Sequence, residues 1–172
     1  MPDDSTPDRS AMSVVQVAIV VRDLEATIRA YRRALGWGPW RVYDFRELAH
    51  HSTAVRGTPA TYAMRTALTR VGQVDFEIIE PLGPSPYQEF LDSNGQGLHH
   101  IQCRSDDPAG MRVRLEESGL PALMGGHIRV SADVDLEYAY HDGGDALHLI
   151  LETTYGDREQ LLSLPTTIMS GD

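Results

Sequence analysis

The chain has 172 residues, 41% apolar and 23% charged, which are the proportions of one soluble globular unit. A net charge of −10, with every basic residue an arginine, argues against nucleic acid as the main partner and removes lysine Schiff-base chemistry. The longest apolar runs fall far short of a membrane span, and the single cysteine, Cys103, excludes an internal disulfide framework.

Residues 1–12 are polar and acidic, with no basic stretch leading into an apolar one, and read as a flexible tail without a secretory signal. Together with the lone cysteine this points to a cytoplasmic protein. "VVQVAIVV", residues 14–21, is short, β-branched and apolar, hence a strand. In "RDLEATIRAYRRALG", Asp23 suits an N-cap, Leu24, Ile28, Tyr31 and Leu35 recur at helical spacing, and Gly36 suits the terminus. Three strand candidates follow, "GPWRVYDF", "TYAMRTALTRV" and "VDFEIIEPL", giving a β-α-β-β-β order.

In "GPSPYQEFLDSNGQG", Ser85 and Pro86 begin a short helix that closes at the glycines. The β-α-β-β-β order then recurs. "LHHIQCRS" is a strand and "DDPAGMRVRLEESG" a helix with an aspartate cap, followed by the strands "ALMGGHIRV", "LEYAYHD" and "ALHLILETTY". The expected organisation is a first module at 13–83, a linker at 84–97, a second module at 98–156 and a tail at 157–172 whose "PTTIMSGD" carries no clear signal. Such a module leaves one sheet face bare. The expected fold is therefore α+β, with two βαβββ modules sharing a curved mixed sheet around a cavity.

Four polar residues stand inside apolar strands at matching places in the two copies. Gln16 and His100 lie near the start of each first strand, and Glu77 and Glu152 lie in each last strand. Polar groups so placed must be satisfied or must serve a site. Taken singly, Gln16 is explained as a hydrogen-bonded strand residue, either glutamate as an arginine's partner, and His100 as a satisfied core histidine. Brought together, they offer one imidazole nitrogen and three oxygens, a donor set for Zn²⁺, Ni²⁺, Co²⁺ or Mn²⁺ with positions left for water or substrate. The set lacks the second histidine of a two-His-one-carboxylate centre, so a ring-cleaving dioxygenase is the less favoured reading.

Strand alternation sends His99 to the face opposite His100, where it packs outward or at an interface. Period two adds Gln102 and Arg104 to the cavity face beyond His100, His148 and Ile150 before Glu152, and Asp75 before Glu77. Arg104 is then either a clamp for an anionic substrate group or a plain rim charge. "GWGPW" and the tyrosines of "LEYAYHD" serve equally as a cavity wall or as core packing. His50, His51, His127 and His141 receive no role.

"EPLGPSPYQEFLDSNGQGLHHI", residues 80–101, resembles the linker and fifth strand of methylmalonyl-CoA epimerases, within the vicinal oxygen chelate superfamily of glyoxalases, bleomycin resistance proteins and dioxygenases. "VAIVVRDLEATIRAYRRALGW" is similar to the family's opening strand and helix, and the resemblance spans roughly residues 14–155. It implies that His100, Glu77 and Glu152 are metal ligands, with Gln16 where epimerases carry a histidine. The epimerases' second base, a third-strand glutamate, has no counterpart in "ATYAMRTALT", where Tyr62 or Arg65 is a substitute; the Gln, Glu, His, Glu set is instead similar to that of some glyoxalase I enzymes. The implied chemistry is proton abstraction beside a chelated carbonyl, with Glu152 as base and Glu77 second. The implied substrate is a molecule with vicinal oxygens or an acyl-CoA, and the family resemblance implies a homodimer. The alternative within the same superfamily is a non-catalytic protein that binds or sequesters an antibiotic or natural product.

Overall fold

The computed structural model describes residues 12–46, 50–156 and 162–170. The expected N-terminal tail lies outside the described residues except for Met12, and so do 157–161 and 171–172 of the expected C-terminal tail. β1 (Met12–Val20) leads into α1 (Leu24–Leu35). The Asp23 carboxylate accepts from the Ala26 N–H, and Gly36 ends the helix at φ 69°, a left-handed conformation open to glycine at no steric cost. β2 (Trp40–Asp44), β3 (His50–Val55), β4 (Thr58–Pro59), β5 (Met64–Val71) and β6 (Val74–Pro81) complete the first half.

The Ser85 hydroxyl caps α2 (Pro86–Asn94), and β7 (Gly97–Ser105) follows. α3 (Pro108–Glu117) is capped by Asp107, with β8 (Ala122–Ser131) and β9 (Val134–Asp142) after it. A single turn, α4 (Gly144–Leu147), precedes β10 (Ile150–Tyr155), and β11 (Thr167–Met169) is the last strand.

All strands belong to one sheet, in the order β11-β2-β5-β6-β1-β7-β10-β9-β8-β3-β4. β1 pairs parallel with β6, and β7 pairs parallel with β10. The two halves join where β1 runs antiparallel to β7. This is the shared mixed sheet expected of two repeated units. α1 covers one outer face, burying Leu24 and Ile28 against Trp40, Ala67 and Ile78. α3 covers its counterpart through a smaller cluster of Met111, Cys103 and Leu151. The other face curls around a core that combines Tyr43, Phe45 and Met64 from the first half with Met124, Ile128, Leu136, Tyr138 and Tyr140 from the second. No helix among the described residues is long and apolar enough to cross a membrane.

Three features depart from the expected pattern. The stretch between β2 and β5 contains a hairpin, β3–β4, which crosses to the far end of the sheet and pairs with β8. Its sequence, "HHSTAV", has no apolar alternation, and its pairing partner lies some 70 residues away, beyond the reach of local pattern. The final strand of the second half starts at Ile150 rather than at "ALHL". Gly143 and Gly144 turn the chain into α4, and His148 caps it at φ 53°. The C-terminal residues supply β11, which pairs antiparallel with β2, and Leu164, ahead of that strand, is buried in the concave core. The hairpin and the C-terminal leg thus run in opposite directions between the two ends of the sheet.

Candidate functional site

The four polar residues picked out by the repeat converge. Gln16 pairs with Asp75 on β6 and with Gln102 on β7, and Gln102 in turn neighbours Glu152 on β10. One row of side chains therefore crosses the join between the halves. The Gln16 amide donates to Glu77 Oε2. His100 Nε2 lies 3.0 Å from Glu152 Oε2 and 3.8 Å from Glu77 Oε2. All four are buried, between 1% and 9% exposed. Despite the short approach, neither His100 Nε2 nor Glu152 Oε2 has a hydrogen-bond partner, because the 3.0 Å contact is not aligned for one.

β-Bulges aim these groups. In the β1–β7 ladder Ala18 faces His100 while Ile19 faces Leu98, so His99 is an extra residue on β7. A second irregularity lies between Val14 and Gln16, and both Val15 and Gln16 line the cavity. The first bulge overturns the alternation argument for His99. Its side chain does not point outward: it is 4% exposed, and its Nδ1 lies 2.9 Å from His100 Nδ1. The ring packs against Phe90 and Tyr87 of α2. Burial and the adjacent His100 hold its pKa well below the usual histidine value, so His99 is neutral at physiological pH. Only one of the two facing Nδ1 atoms can carry the shared hydrogen.

Above the four residues opens a cavity of about 530 Å³. Gln16, Glu77, Gln102 and Glu152 line it, while His100 sits beneath them, its ring 4.8 Å from that of Tyr140. The aromatic wall comes from Tyr43, Phe45, Tyr87, Tyr138 and Tyr140, and Arg41, Arg70 and Arg104 also line the cavity. The tyrosines of "LEYAYHD" are thus wall, whereas Trp37 and Trp40 of "GWGPW" pack with Tyr31 and Phe76 under α1. Gly38 and Pro39 of that segment do reach the cavity.

Gln102 and Arg104 lie on the cavity face as period two requires. Three other candidates do not. Arg65 points the opposite way, into ion pairs with Glu25 of α1 and Glu80. Tyr62 stands behind the wall, its hydroxyl 2.8 Å from that of Tyr138, and burial raises its pKa to about 12. His148 is exposed at the end of α4, off the strand. The cavity face of β5 offers Met64, Thr66 and Leu68, and so no carboxylate.

The structure also recruits His50, which had no role on sequence grounds. The crossing hairpin brings its Nε2 into contact with the Tyr138 hydroxyl, and burial lowers its pKa to about 4. The neutral ring stacks on Tyr138 and meets Tyr62 edge-on. No local signal marks His50, since its placement depends on β3 pairing with β8.

Among the described residues, no three His, Cys, Asp or Glu side chains form a ready-made ligand cage. The donors are drawn onto one another, Gln16 onto Glu77 and His100 towards Glu152, rather than spread around a void. The residues nevertheless fit a divalent cation. The set combines one nitrogen with oxygens, it is buried, and two of its atoms lack any other partner.

A curled mixed sheet built from two βαβββ halves, with a His/Glu/Gln cluster where they join, defines the vicinal oxygen chelate class of fold. The profile of the glyoxalase/bleomycin resistance protein/dioxygenase superfamily matches residues 15–140, and the chain belongs to that superfamily. Its members typically use divalent metals. No curated protein matches the chain significantly by sequence. Among solved structures it is similar to methylmalonyl-CoA epimerase from Mycobacterium tuberculosis, with 21% identity and a TM-score of 0.61, covering 87% of this chain and 91% of that one. An epimerase solved with methylmalonyl-CoA and NH4+ is similar at 19% identity and TM-score 0.62, covering 84% and 94%. A mutant 4-hydroxymandelate synthase from Streptomyces coelicolor gives 18% identity and TM-score 0.59, covering 86% of this chain and 50% of that one.

Proposed function

We propose that this protein is a divalent-metal-dependent isomerase, epimerase or lyase that removes a proton beside a chelated carbonyl. The observation that carries this reading is the convergence of Glu77, His100 and Glu152, one from the first half and two from the second, at the base of a 530 Å³ cavity. Gln16, Glu77, His100 and Glu152 would hold the metal, whether Zn²⁺, Ni²⁺, Co²⁺ or Mn²⁺. When bound, it would supply Lewis-acid stabilisation of the negative charge that develops on the substrate oxygen.

The chain's own residues do the remainder. Glu152 is the assigned base, with Glu77 second, because the unpartnered Glu152 Oε2 retains its capacity to accept a proton. Ligation through His100 Nε2 requires the histidine's hydrogen on Nδ1, where the neutral His99 accepts it. Tyr138 and Tyr140 hold their hydroxyl protons, since burial pushes both pKa values upward, and both line the cavity together with Glu152. The substrate class is a small molecule with vicinal oxygens or an acyl-CoA. The similarity to epimerase structures supports that class through the fold alone. A cytoplasmic homodimer completes the proposal.

Metal analysis of the purified protein, followed by solvent deuterium exchange into methylmalonyl-CoA and into α-keto and α-hydroxy acids, tests the reading. One equivalent of divalent metal and metal-dependent exchange are expected. No stoichiometric metal and no affinity for one would overturn it in favour of a non-catalytic small-molecule binder.

A further inference from the structure

The four proposed metal donors form a ring over four neighbouring strands, and the strand register fixes what stands at its centre. Glu77 of β6 pairs with Ala18 of β1, and Ala18 pairs with His100 of β7. Gln16 of β1 pairs with Gln102 of β7, and Gln102 pairs with Glu152 of β10. Neighbouring strands lie about 4.8 Å apart, and alternate residues of a strand share a face. The middle of the ring therefore falls between Ala18 and Gln102. The repeat makes these two positions equivalent, since each lies two residues beyond a donor, Gln16 or His100. The first half puts a methyl group there, and the second half puts an amide.

That amide is buried, and its oxygen is uncommitted. Gln102 is 2% exposed, it lines the cavity, and its Oε1 is enclosed without a hydrogen-bond partner. Gln16 spends its amide on Glu77, whereas Glu152 Oε2, beside Gln102, receives no bond from it. His100 Nε2 is the third such atom on β7 and β10. Partnerless atoms on Thr66, Tyr87 and His141 stand on β5, α2 and β9, which supply none of the four donors, and His99 packs against α2. With the His100 hydrogen on Nδ1, the atoms of His100, Gln102 and Glu152 all offer lone pairs and no proton. They cannot satisfy one another, and a cation satisfies all three.

We propose that Gln102 Oε1 is a fifth donor to the divalent cation in the protein without substrate. This rests on the functional reading above and extends its ligand set. Glu77 and Glu152 balance a 2+ charge, and a neutral amide adds an oxygen without adding charge. Five donors favour an ion that takes six, Ni²⁺, Co²⁺ or Mn²⁺, over Zn²⁺, which settles for four. Gln102 gives up its place to a substrate that binds through two oxygens.

Titration of the metal-free protein with Co²⁺, read by calorimetry and visible absorption, tests the assignment without turnover. Gln102→Leu should weaken Co²⁺ binding about ten-fold and reduce the preference for Co²⁺ over Zn²⁺. It should also strengthen the visible absorption of bound Co²⁺, which grows as the coordination number falls. The same variant should raise the thermal stability of the metal-free protein, because it removes a buried acceptor that has no partner. A merely structural glutamine would change stability and leave affinity and spectrum alone. Gln102→Glu keeps an oxygen at the same place and should bind Co²⁺ at least as tightly as the parent. Parent-like affinity and spectrum in Gln102→Leu, or weakened binding in Gln102→Glu, would overturn the proposal and leave the functional reading intact. A parent protein that binds no Co²⁺ would overturn both.

Discussion

In the first half of the chain the two residues at the cavity base satisfy one another, with the Gln16 amide donating to Glu77. In the second half the equivalent residues, His100 and Glu152, approach to 3.0 Å yet leave both facing atoms without a hydrogen bond. The outer faces differ in the reverse sense. α1 seals the first half with a seven-residue buried cluster centred on Trp40, whereas α3 seals the second with a three-residue cluster around Met111. The better-packed half holds the quieter pair, and the more lightly packed half holds the pair with unspent bonding capacity. Polar demand left open inside a fold marks where an external ligand gains most, because its binding removes a desolvation cost already present.

The largest expected effect tests the packing side of this contrast. Ile28→Ala removes a fully buried side chain from the denser cluster and should cost ~3–4 kcal/mol, against ~2 kcal/mol for Met111→Ala under α3. Equal losses in chemical denaturation would erase the contrast.

Next comes metal affinity. His100→Ala should weaken divalent binding by about a hundred-fold or more, whereas Gln16→Ala, which removes a residue already bonded to Glu77, should cost about ten-fold. Titration of the metal-free protein with Zn²⁺ or Co²⁺ reads both, and a larger loss for Gln16 would invert the assignment.

A smaller effect is pH dependence. His50 is held neutral to about pH 4 by burial, while its unfolded counterpart titrates near 6.5, and His99 is shifted in the same direction. The unfolded chain therefore binds more protons between those values. Stability from these two groups is fully present above about pH 6.5 and falls as pH drops towards 4. Solvent screening of the half-buried His50 limits its share to ~2 kcal/mol. Replacing His50 by Gln should flatten part of the acid limb measured by urea denaturation, and an unchanged limb would exclude His50 as its source.

The smallest effect should be alike in the two halves. Asp23→Ala and Asp107→Ala each remove an N-cap hydrogen bond and should each cost ~1 kcal/mol, because capping is local and independent of what lies beneath the helix. A marked difference between the two thermal shifts would show that the helices differ in more than packing.

Local physics made much of this molecule legible from its sequence. Asp23 and Gly36 bound α1 where a cap and a left-handed terminus are expected, Ser85 starts α2, and Asp107 starts α3. The recurrence of polar residues inside apolar strands was enough to single out Gln16, Glu77, His100 and Glu152, because a buried polar group is costly wherever its partners come from. That argument needs only the order of residues along each strand.

Tertiary structure decided what depends on pairing between distant segments. An extra residue opposite β1 turned His99 inward beside His100, against the period-two rule, because bulges are set by the partner strand's register. The crossing hairpin carried His50 onto Tyr138, and the glycine turn before β10 took His148 off the cavity face. Arg65 went to Glu25 and Glu80 rather than to the site, since α1 covers that face of β5. A sequence records which side chains must be satisfied; only the completed sheet determines which neighbours satisfy them and which, like His100 Nε2 and Glu152 Oε2, are left facing the cavity base without one.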